Sequence, residues 1–139
     1  MKDLDWANLS FGYMKTDYNV RCYYRDGKWG EIEVCSDEYI NLHMAATCLH
    51  YGQEAFEGLK AYRCPDGKVR IFRVKDNAAR LQSTCDGIVM PKVPTEMFEE
   101  MVKKVVRLNQ DYIPTYESGA TLYIRPLLIG ISAQAGVHP

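Results

Sequence analysis

The sequence predicts an α+β domain: a mostly antiparallel sheet with two helices packed on it. Three observations lead to this prediction. Two pairs of β-favouring runs are each joined by a turn that contains Asp-Gly, at residues 26–27 and 66–67, and such a turn between two runs is a strong hairpin signal. Two segments with apolar residues at helical spacing come next. A last run rich in β-favouring residues then occupies residues 119–130.

Each hairpin is predicted from the residues that flank its turn. The first joins residues 18–25 to residues 31–35. The second joins Leu59–Arg63 to residues 69–73 across the turn Pro-Asp-Gly at 65–67. Proline presets the backbone dihedral at the start of such a turn, and glycine supplies positive φ.

The first helix is predicted to be capped by Asp76 or a neighbouring polar residue. It runs past Ala78, Leu81 and Cys85 and ends near Gly87. An aspartate side chain accepts hydrogen bonds from the free N–H groups of a first turn, and glycine tolerates the left-handed conformation that often ends a helix. The apolar positions lie three or four residues apart, so they share one face.

A second, longer helix is predicted to be capped by Thr95 and ended by Pro114, because the residue before a proline is disfavoured in helical conformation. Its apolar face comprises Met97, Phe98, Met101, Val102, Val105, Leu108 and Tyr112. This face, including its methionines, is interpreted as core rather than as a cofactor site.

The last run contains an arginine whose role has two interpretations. Pro126 restricts the strand to a bulge or an edge position, since proline cannot donate to a ladder. Arg125 lies among apolar neighbours, and Tyr123 lies two residues earlier on the same face. A buried guanidinium must be paired. The arginine therefore forms an internal bridge to a carboxylate, or it holds a ligand carboxylate bidentately with help from the tyrosine hydroxyl.

Residues 49–63 place two aromatic side chains directly before a strand. Tyr51 and Phe56 lie in a segment punctuated by Gly52 and Gly58, and glycine allows a sharp bend or a close approach of the backbone. The stretch can therefore form one wall of a pocket. The alternative is an ordinary turn with both aromatics packed in the core, and the stretch alone favours that alternative.

Charge and hydropathy narrow the function classes. The 17 basic and 18 acidic residues give a formal net charge of -1, so there is no electrostatic reason to expect nucleic acid or an anionic membrane. No apolar run approaches the ~20 residues needed to cross a bilayer. The N-terminal residues lack the apolar core of a secretory signal. A cytoplasmic protein is the default expectation.

The five cysteines form no CxxC pair, which favours reduced thiols over a disulfide framework. Cys48 lies near His43 and His50 in sequence, which raises a metal site or a thiol–imidazole pair as alternatives to residues without chemistry. The spacing matches no zinc pattern. No metal is expected. No GxGxxG, P-loop or GxSxG motif occurs.

Five pieces of sequence carry a resemblance to a known family. They are Phe11–Gly12 with Thr16–Asp17, residues 49–52 (Leu-His-Tyr-Gly), residues 56–61 (Phe-Glu-Gly-Leu-Lys-Ala), Phe72–Arg73 with residues 77–81 (Asn-Ala-Ala-Arg-Leu), and residues 122–130 (Leu-Tyr-Ile-Arg-Pro-Leu-Leu-Ile-Gly). In this order they resemble the branched-chain amino-acid aminotransferases, the class IV (fold-type IV) enzymes that depend on pyridoxal 5′-phosphate. One piece alone would be a weak signal, but the combination is specific.

The resemblance implies a domain organisation. Residues 1–130 would form the family's smaller N-terminal α+β domain, and residues 131–139 would begin the linker to a larger C-terminal domain. That larger domain carries the Schiff-base lysine and is expected to lie outside this chain. No catalytic residue is therefore expected among these 139 residues, and the active site would form between the two domains of a homodimer.

The resemblance also assigns a residue to the cofactor. Arg80 matches the arginine that binds the phosphate of pyridoxal 5′-phosphate, and a planar, always-charged guanidinium suits a phosphate. The alternative is a solvent-facing helix arginine.

Substrate-binding residues follow by the same matching. Phe11, Tyr51 and Phe56 would line the apolar pocket for a leucine, isoleucine or valine side chain. Tyr123 and Arg125 would address carboxylates, Arg125 chiefly the distal carboxylate of glutamate. A further match, Val137, would reach into the neighbouring subunit's pocket.

The implied activity of the complete enzyme is transamination between a branched-chain amino acid and 2-oxoglutarate, which yields a branched-chain 2-oxo acid and glutamate. The 139 residues of this chain are expected to be inactive alone and to bind the cofactor weakly or not at all. A D-amino-acid aminotransferase or an aminodeoxychorismate lyase is a related alternative. A stand-alone ligand-binding or interaction domain, with the fold but without the chemistry, is an alternative from a different class.

Overall fold

The computed structural model describes residues 13–133. The elements, in chain order, are β1 Asn19–Arg21, β2 Tyr24–Arg25, β3 Lys28–Trp29, β4 Glu33–Cys35, α1 Thr47–His50, β5 Glu54–Phe56, β6 Leu59–Arg63, β7 Val69–Ile71, α2 Val74–Ile88, α3 Thr95–Leu108, β8 Leu122–Ile124 and β9 Leu127–Ile129. Each pair of neighbouring strands among these residues is antiparallel. The predicted α+β class is confirmed.

The first hairpin is confirmed, and it consists of two separately paired pairs of strands. Strands β2 and β3 pair across a two-residue turn in which Asp26 has φ 54° and Gly27 has φ 79°. Positive φ at both central residues is the signature of a type I′ turn, whose twist suits a hairpin. Strands β1 and β4 pair farther from the turn, with Val20 opposite Val34. Their register is shifted by one residue from that of β2 and β3. The second hairpin, β6 with β7, is also confirmed.

The centre of the domain is a long two-stranded ladder. Strands β5 and β6 follow one another along one side, and β9 and β8 lie opposite them. Phe56 is opposite Leu127 and Leu59 is opposite Ile124, so the register continues unchanged across the interruption at Pro126. The Pro126 carbonyl accepts a hydrogen bond from Glu57 N–H at 3.0 Å. Within the described residues β8 and β9 form an edge, so the edge prediction holds and the bulge does not occur.

The two faces of this ladder differ in exposure because successive side chains point to opposite sides. Ala55, Glu57, Leu59 and Ala61 are buried, and so is Ile124 on the partner strand. Across the ladder, the other face carries Phe56, Gly58, Lys60, Tyr123, Arg125 and Leu127. We call this second face the open face.

Helix α2 begins earlier than the sequence suggested. It starts at Val74, and the residue before it, Arg73, is in the left-handed conformation with φ 56°. Asp76 lies inside the first turn and makes no cap; its carboxylate contacts Arg73 Nε at 2.8 Å. The predicted Asp76 cap is therefore wrong, because an adjacent guanidinium takes the carboxylate that would have capped the turn.

The end of α2 is capped from outside the helix. Gly87 lies within the helix, which ends at Ile88, and Val89 is the left-handed residue that follows, with φ 58°. The buried side chain of Gln53 donates its amide N–H groups to the carbonyls of Ile88 at 3.2 Å and Val89 at 3.0 Å. This amide satisfies carbonyls that a helix end leaves free and ties the helix to the segment before β5.

Helix α3 has an apolar face, as predicted, but different ends. Pro94 occupies the N-cap position, and the Thr95 hydroxyl accepts a hydrogen bond from Gln82 Nε2 at 3.1 Å instead of capping. The helix ends at Leu108 rather than near Pro114, and Tyr112 belongs to a separate 3-10 turn, Gln110–Tyr112. The core between the two helices and the sheet contains Ala78, Leu81, Cys85, Phe98, Val102, Val106 and Ile113.

A buried asparagine ties the N-terminal segment to the end of α3. The Asn109 amide oxygen accepts from Tyr18 N–H at 3.0 Å, and its Nδ2 donates to the Tyr18 carbonyl at 3.0 Å and to the Val105 carbonyl at 2.8 Å. Asn109 is 3% exposed, so its amide group has little access to solvent, and the three hydrogen bonds are partly buried.

We predict that Asn109→Ala lowers the free energy of unfolding by about 2 kcal/mol, because buried polar groups of the backbone lose their partner. Urea unfolding would measure the change. The matched control is Gln110→Ala: this side chain is exposed, and such a surface change typically costs less than about 0.5 kcal/mol. Equal losses in both variants would contradict the assigned role of Asn109.

Every helix within residues 13–133 is too short or too polar to span a lipid bilayer.

Candidate functional site

The open face of the ladder borders a cavity of about 600 Å³. Its sheet side is formed by Gly58, Lys60 and Tyr62 from β6 and the segment before it, and by Thr121 next to β8. Lys60 is opposite Tyr123, and the same register places Gly58 opposite Arg125, so two of the lining residues share the open face with Tyr123 and Arg125. A second cavity, of about 530 Å³, lies near the first hairpin and is lined by none of the predicted site residues.

The helix side of the larger cavity is basic. It is formed by Arg73, Asp76, Asn77 and Arg80 from the start of α2 and the residue before it. With Lys60, three cationic side chains and one exposed carboxylate line the space. A wall of this composition favours an anionic ligand.

Arg80 is bound by a buried carboxylate. Its Nε donates to the two oxygens of Glu57 at 2.9 and 3.0 Å, and its Nη2 donates to Oε1 at 2.6 Å. The side chain of Glu57 is 4% exposed, whereas that of Arg80 is 66% exposed. The hydrogen bond from Arg80 to Glu57, together with the negative charge of that carboxylate, raises the pKa of Arg80 above the usual value.

The structure therefore adds a partner to the predicted phosphate-binding arginine. Arg80 is exposed, as the solvent-facing alternative requires, but its guanidinium is fixed on one side. Among the described residues, Arg80 Nη1 has no hydrogen-bond partner. One end of a planar guanidinium is thus held, and the other end is open to a ligand.

Sequence reasoning did not single out Glu57 as a candidate site residue. A second donor, Asn77 Nδ2, contacts Glu57 Oε1 at 3.0 Å and the Gly58 carbonyl at 3.3 Å. The sequence nevertheless contains a signal for this role. Glu57 lies two residues before Leu59 and four before Ala61, which are both buried, so alternation places Glu57 on the core face. A carboxylate on a core face requires a cation or several hydrogen-bond donors.

The open face brings together three of the predicted substrate-binding residues. Arg125 Nη2 donates to the Tyr123 hydroxyl at 2.9 Å. Its Cζ lies 4.5 Å from the centroid of the Phe56 ring and 5.2 Å from that of Tyr123, within the range of a cation–π interaction. Arg125 forms no ion pair among the described residues, and it is exposed. An internal bridge to a carboxylate is thus not what the structure shows.

Gly58 connects this cluster to the cavity. A Cβ built on Gly58 would overlap the Tyr123 hydroxyl and lie 3.0 Å from Tyr123 Cζ, so the tyrosine ring crosses directly over the glycine. Arg80 lines the cavity and Arg125 does not. This cavity is thus lined by one of the two predicted arginines.

The remaining predicted aromatic residue, Tyr51, follows α1, a short helix in a stretch that was predicted from the sequence to be a bend. Tyr51 is 53% exposed and Phe56 is 60% exposed. The interpretation of residues 49–63 as an ordinary core turn is therefore wrong. Phe11 and Val137 lie outside the described residues.

The histidines near Cys48 are engaged with the backbone. His50 Nε2 lies 2.7 Å from the Met44 carbonyl, and His43 Nδ1 accepts from Ala45 N–H at 3.0 Å. Burial, and then the charge of Glu54, raise the pKa of the Cys48 thiol, which disfavours a reactive thiolate. No group of three or more His, Cys, Asp and Glu side chains placed to hold a metal occurs in residues 13–133.

Two curated relatives match nearly the whole chain. The branched-chain-amino-acid aminotransferase of Haemophilus influenzae is 53% identical over 99% of this chain. The protein of the same name from Helicobacter pylori is 44% identical over 100% of it. The matches cover 40% and 41% of those two proteins, so the chain spans about two fifths of the length of these curated relatives. No family model matches the chain.

Solved structures give the same comparison. The branched-chain amino acid aminotransferase of Escherichia coli aligns with a TM-score of 0.67 and 25% identity, over 90% of this chain and 36% of that one. The T.th. branched-chain amino acid aminotransferase in complex with N-(5′-phosphopyridoxyl)-L-glutamate aligns with a TM-score of 0.64 and 27% identity, over 90% of this chain and 36% of that one. Another structure of the T.th. enzyme contains pyridoxamine 5′-phosphate, with a TM-score of 0.59 and 30% identity over 75% of this chain and 32% of that one.

Proposed function

This chain belongs to the branched-chain amino-acid aminotransferase family, and we propose that it forms the N-terminal domain of an enzyme that transfers an amino group between leucine, isoleucine or valine and 2-oxoglutarate. Residues 1–130 would constitute the domain, and residues 131–139 would start the linker to a C-terminal domain. The observation that carries this proposal is the open face, where an exposed arginine lies on an aromatic ring next to a basic cavity.

The residues of the cavity suit pyridoxal 5′-phosphate as cofactor. Arg80 offers the open end of its guanidinium, and Lys60 and Arg73 add positive charge to the same space. A phosphate dianion favours such a site, because a planar guanidinium can donate two parallel hydrogen bonds to it. The bound cofactor would supply an electron sink for the bond that breaks at the amino-acid α-carbon.

The open face suits a substrate pocket that accepts two kinds of side chain. The Phe56 ring offers an apolar surface to an aliphatic side chain, and Phe11 and Tyr51 would extend it. Arg125 donates one N–H to Tyr123, which leaves its other donors for the distal carboxylate of glutamate. One wall would thereby serve both half-reactions, with the guanidinium that lies over the Phe56 ring moving aside for an aliphatic side chain.

The reactive lysine is proposed to lie in the C-terminal domain. Lys60 lines the cavity and lies opposite Tyr123 on the open face. It belongs to a sequence motif in which the family has no catalytic lysine. This chain would supply the phosphate clamp and part of the substrate wall, and it would not turn over alone. The complete enzyme is proposed to be cytoplasmic and homodimeric, with Val137 reaching the neighbouring subunit.

Several large apolar side chains support a covering domain or subunit. Phe56 is 60% exposed, and Leu127, which lies directly opposite it in the ladder, is 57% exposed. Monomeric domains seldom leave extended apolar patches in water. The C-terminal domain and the second subunit are the proposed partners for these surfaces.

The proposal is tested with the whole protein that contains this chain, expressed from its complete reading frame. We expect it to bind pyridoxal 5′-phosphate and to form glutamate from leucine and 2-oxoglutarate, with no activity toward D-alanine. Residues 1–139 expressed alone are expected to give no turnover. Borohydride reduction and peptide mapping should find the cofactor on a lysine outside residues 1–139.

Turnover by residues 1–139 alone, or cofactor trapped on Lys60, would contradict the division of roles between the two domains. A whole protein that binds neither the cofactor nor branched-chain substrates would instead favour the stand-alone binding domain. Activity with D-alanine would favour a D-amino-acid aminotransferase.

A further inference from the structure

The two side chains of the Arg80–Glu57 ion pair differ greatly in their exposure to solvent. The carboxylate is 4% exposed and the guanidinium is 66% exposed. Arg80 lines the cavity, and Glu57 does not. The arginine therefore stands between a buried negative charge and an open basic space.

Glu57 cannot easily release Arg80. Within residues 13–133, the other hydrogen bond that its side chain accepts comes from Asn77 Nδ2, at 3.0 Å. Removing the guanidinium would leave a buried carboxylate with that one neutral partner, and an uncompensated buried charge is strongly unfavourable. Any anion that binds Arg80 must consequently accept hydrogen bonds from the end of the guanidinium that Glu57 leaves open.

We propose that Glu57 is a positioning residue for the cofactor phosphate: it holds Arg80 so that the open end of the guanidinium faces the cavity. This inference rests on the proposed function, in which Arg80 binds the phosphate of pyridoxal 5′-phosphate. Glu57 itself would not touch the cofactor. It acts by fixing a long, exposed side chain that would otherwise lose conformational freedom when the phosphate binds.

Two effects of Glu57 on phosphate affinity oppose each other. Its negative charge repels a phosphate, which weakens binding. Its bidentate hold orders Arg80 in advance, which strengthens binding, because ordering a side chain with many rotamers costs affinity at the moment of association. The guanidinium lies between the carboxylate and the cavity and screens the repulsion, so we expect the ordering effect to be larger.

The test is the affinity of the whole apo-protein for pyridoxal 5′-phosphate, followed by absorbance, in the Glu57→Gln variant. Glutamine keeps one acceptor oxygen but replaces the other with an NH2 group, so at least one of the three hydrogen bonds and the ionic attraction to Arg80 are lost and the hold is weakened. We expect the dissociation constant to rise about three- to tenfold, the ordering cost of one such side chain. The affinity for pyridoxal, which lacks the phosphate, should be unchanged.

The matched control is Asp66→Asn. Asp66 Oδ2 contacts Arg70 Nη2 at 3.5 Å, both side chains are at least half exposed, and neither residue lines the cavity. This change removes the same charge but leaves the hold on Arg80 intact. The affinity for pyridoxal 5′-phosphate should be unchanged.

Tighter or unchanged binding in Glu57→Gln would overturn the inference, and so would an equal loss for pyridoxal and its phosphate. If Glu57→Gln does not fold, judged by circular dichroism, Glu57→Asp serves instead: its shorter carboxylate should give a smaller, phosphate-dependent loss. In an Arg80→Met background, Glu57→Gln should cause no further loss. A wild-type protein that does not bind the cofactor would refute the proposed function itself, which is a separate outcome.

Discussion

Arg125→Met is expected to lower kcat/KM for glutamate by about 100-fold, because truncating one partner of a hydrogen-bonded charge pair costs ~2–5 kcal/mol. The value for leucine should change far less. Arg125 is an exposed cation of the open face, and its guanidinium lies against the Phe56 ring. Methionine keeps an apolar chain against that ring but removes every guanidinium donor that is proposed to bind the distal carboxylate. The ratio of the two kcat/KM values, measured on the whole enzyme, reports the change in specificity.

The control for Arg125→Met is Arg107→Met, which removes the same charge from the exposed side of α3 and should leave the ratio unaltered. Tyr123→Phe tests the support of the arginine, since the hydroxyl that accepts from Arg125 Nη2 is removed while the ring stays. A smaller loss of the same sign is expected there. If Arg125→Met lowers kcat/KM equally for glutamate and leucine, the arginine supports the fold of the face and does not recognise the carboxylate.

The open face was predictable from the sequence because its logic is local. Alternation along a strand places Tyr123 and Arg125 on one face whatever the partner strand is. Both hairpins followed from turn chemistry, since Asp-Gly favours the positive φ that a tight turn requires. These signals depend on a few neighbouring residues, so one sequence suffices to read them.

The helix ends were less predictable because local and distant partners compete for the same side chains. Asp76 and Thr95 have the chemistry of N-caps, but Asp76 contacts Arg73 and Thr95 accepts from Gln82. The end of α2 depends on Gln53, 35 residues away from Ile88 in sequence. When a distant side chain caps a helix, the residues near the helix end contain no sequence signal for that cap.

The pairing of Arg80 with Glu57 was beyond local reasoning for a related reason. Alternation indicates that Glu57 is buried, but it does not say which cation pairs with it. That choice depends on the rotation of α2 about its axis over the sheet, which places Arg80 and Asn77 above the same carboxylate. The resemblance to the family identified Arg80, and the structure was needed to show what holds it.

The largest effect on stability is expected from Gly130→Ala, about 3 kcal/mol, the upper end of the cost of inserting a methyl group into a well-packed region. A Cβ on Gly130 would overlap Thr47 Oγ1 and lie 3.1 Å from Gln53 Oε1 and 3.3 Å from the Gln53 carbonyl oxygen. Thr47 is 1% exposed and Gln53 is 4% exposed, so neither side chain can move aside into solvent. Urea unfolding would measure the loss.

Gly58→Ala is the matched comparison, because its Cβ would also overlap a side-chain oxygen, that of Tyr123. Tyr123 is 36% exposed and can swing outward, so the loss of stability should stay below about 1 kcal/mol. The displaced hydroxyl would no longer accept from Arg125, and the effect should appear in glutamate recognition instead. Gly130→Ala should therefore affect mainly stability, and Gly58→Ala should affect mainly glutamate recognition.

The double variant Gly130→Ala with Thr47→Ala decides whether the predicted overlap is the cause. Removing the threonine side chain frees the space that the new methyl group needs, so part of the lost stability should return. The contacts with Gln53 remain, and recovery should therefore be incomplete. Purely additive losses in the double variant would show that Gly130 acts through its backbone, which donates to the Gln53 carbonyl at 2.9 Å and accepts from Cys48 N–H at 3.0 Å, and that the packing argument is wrong.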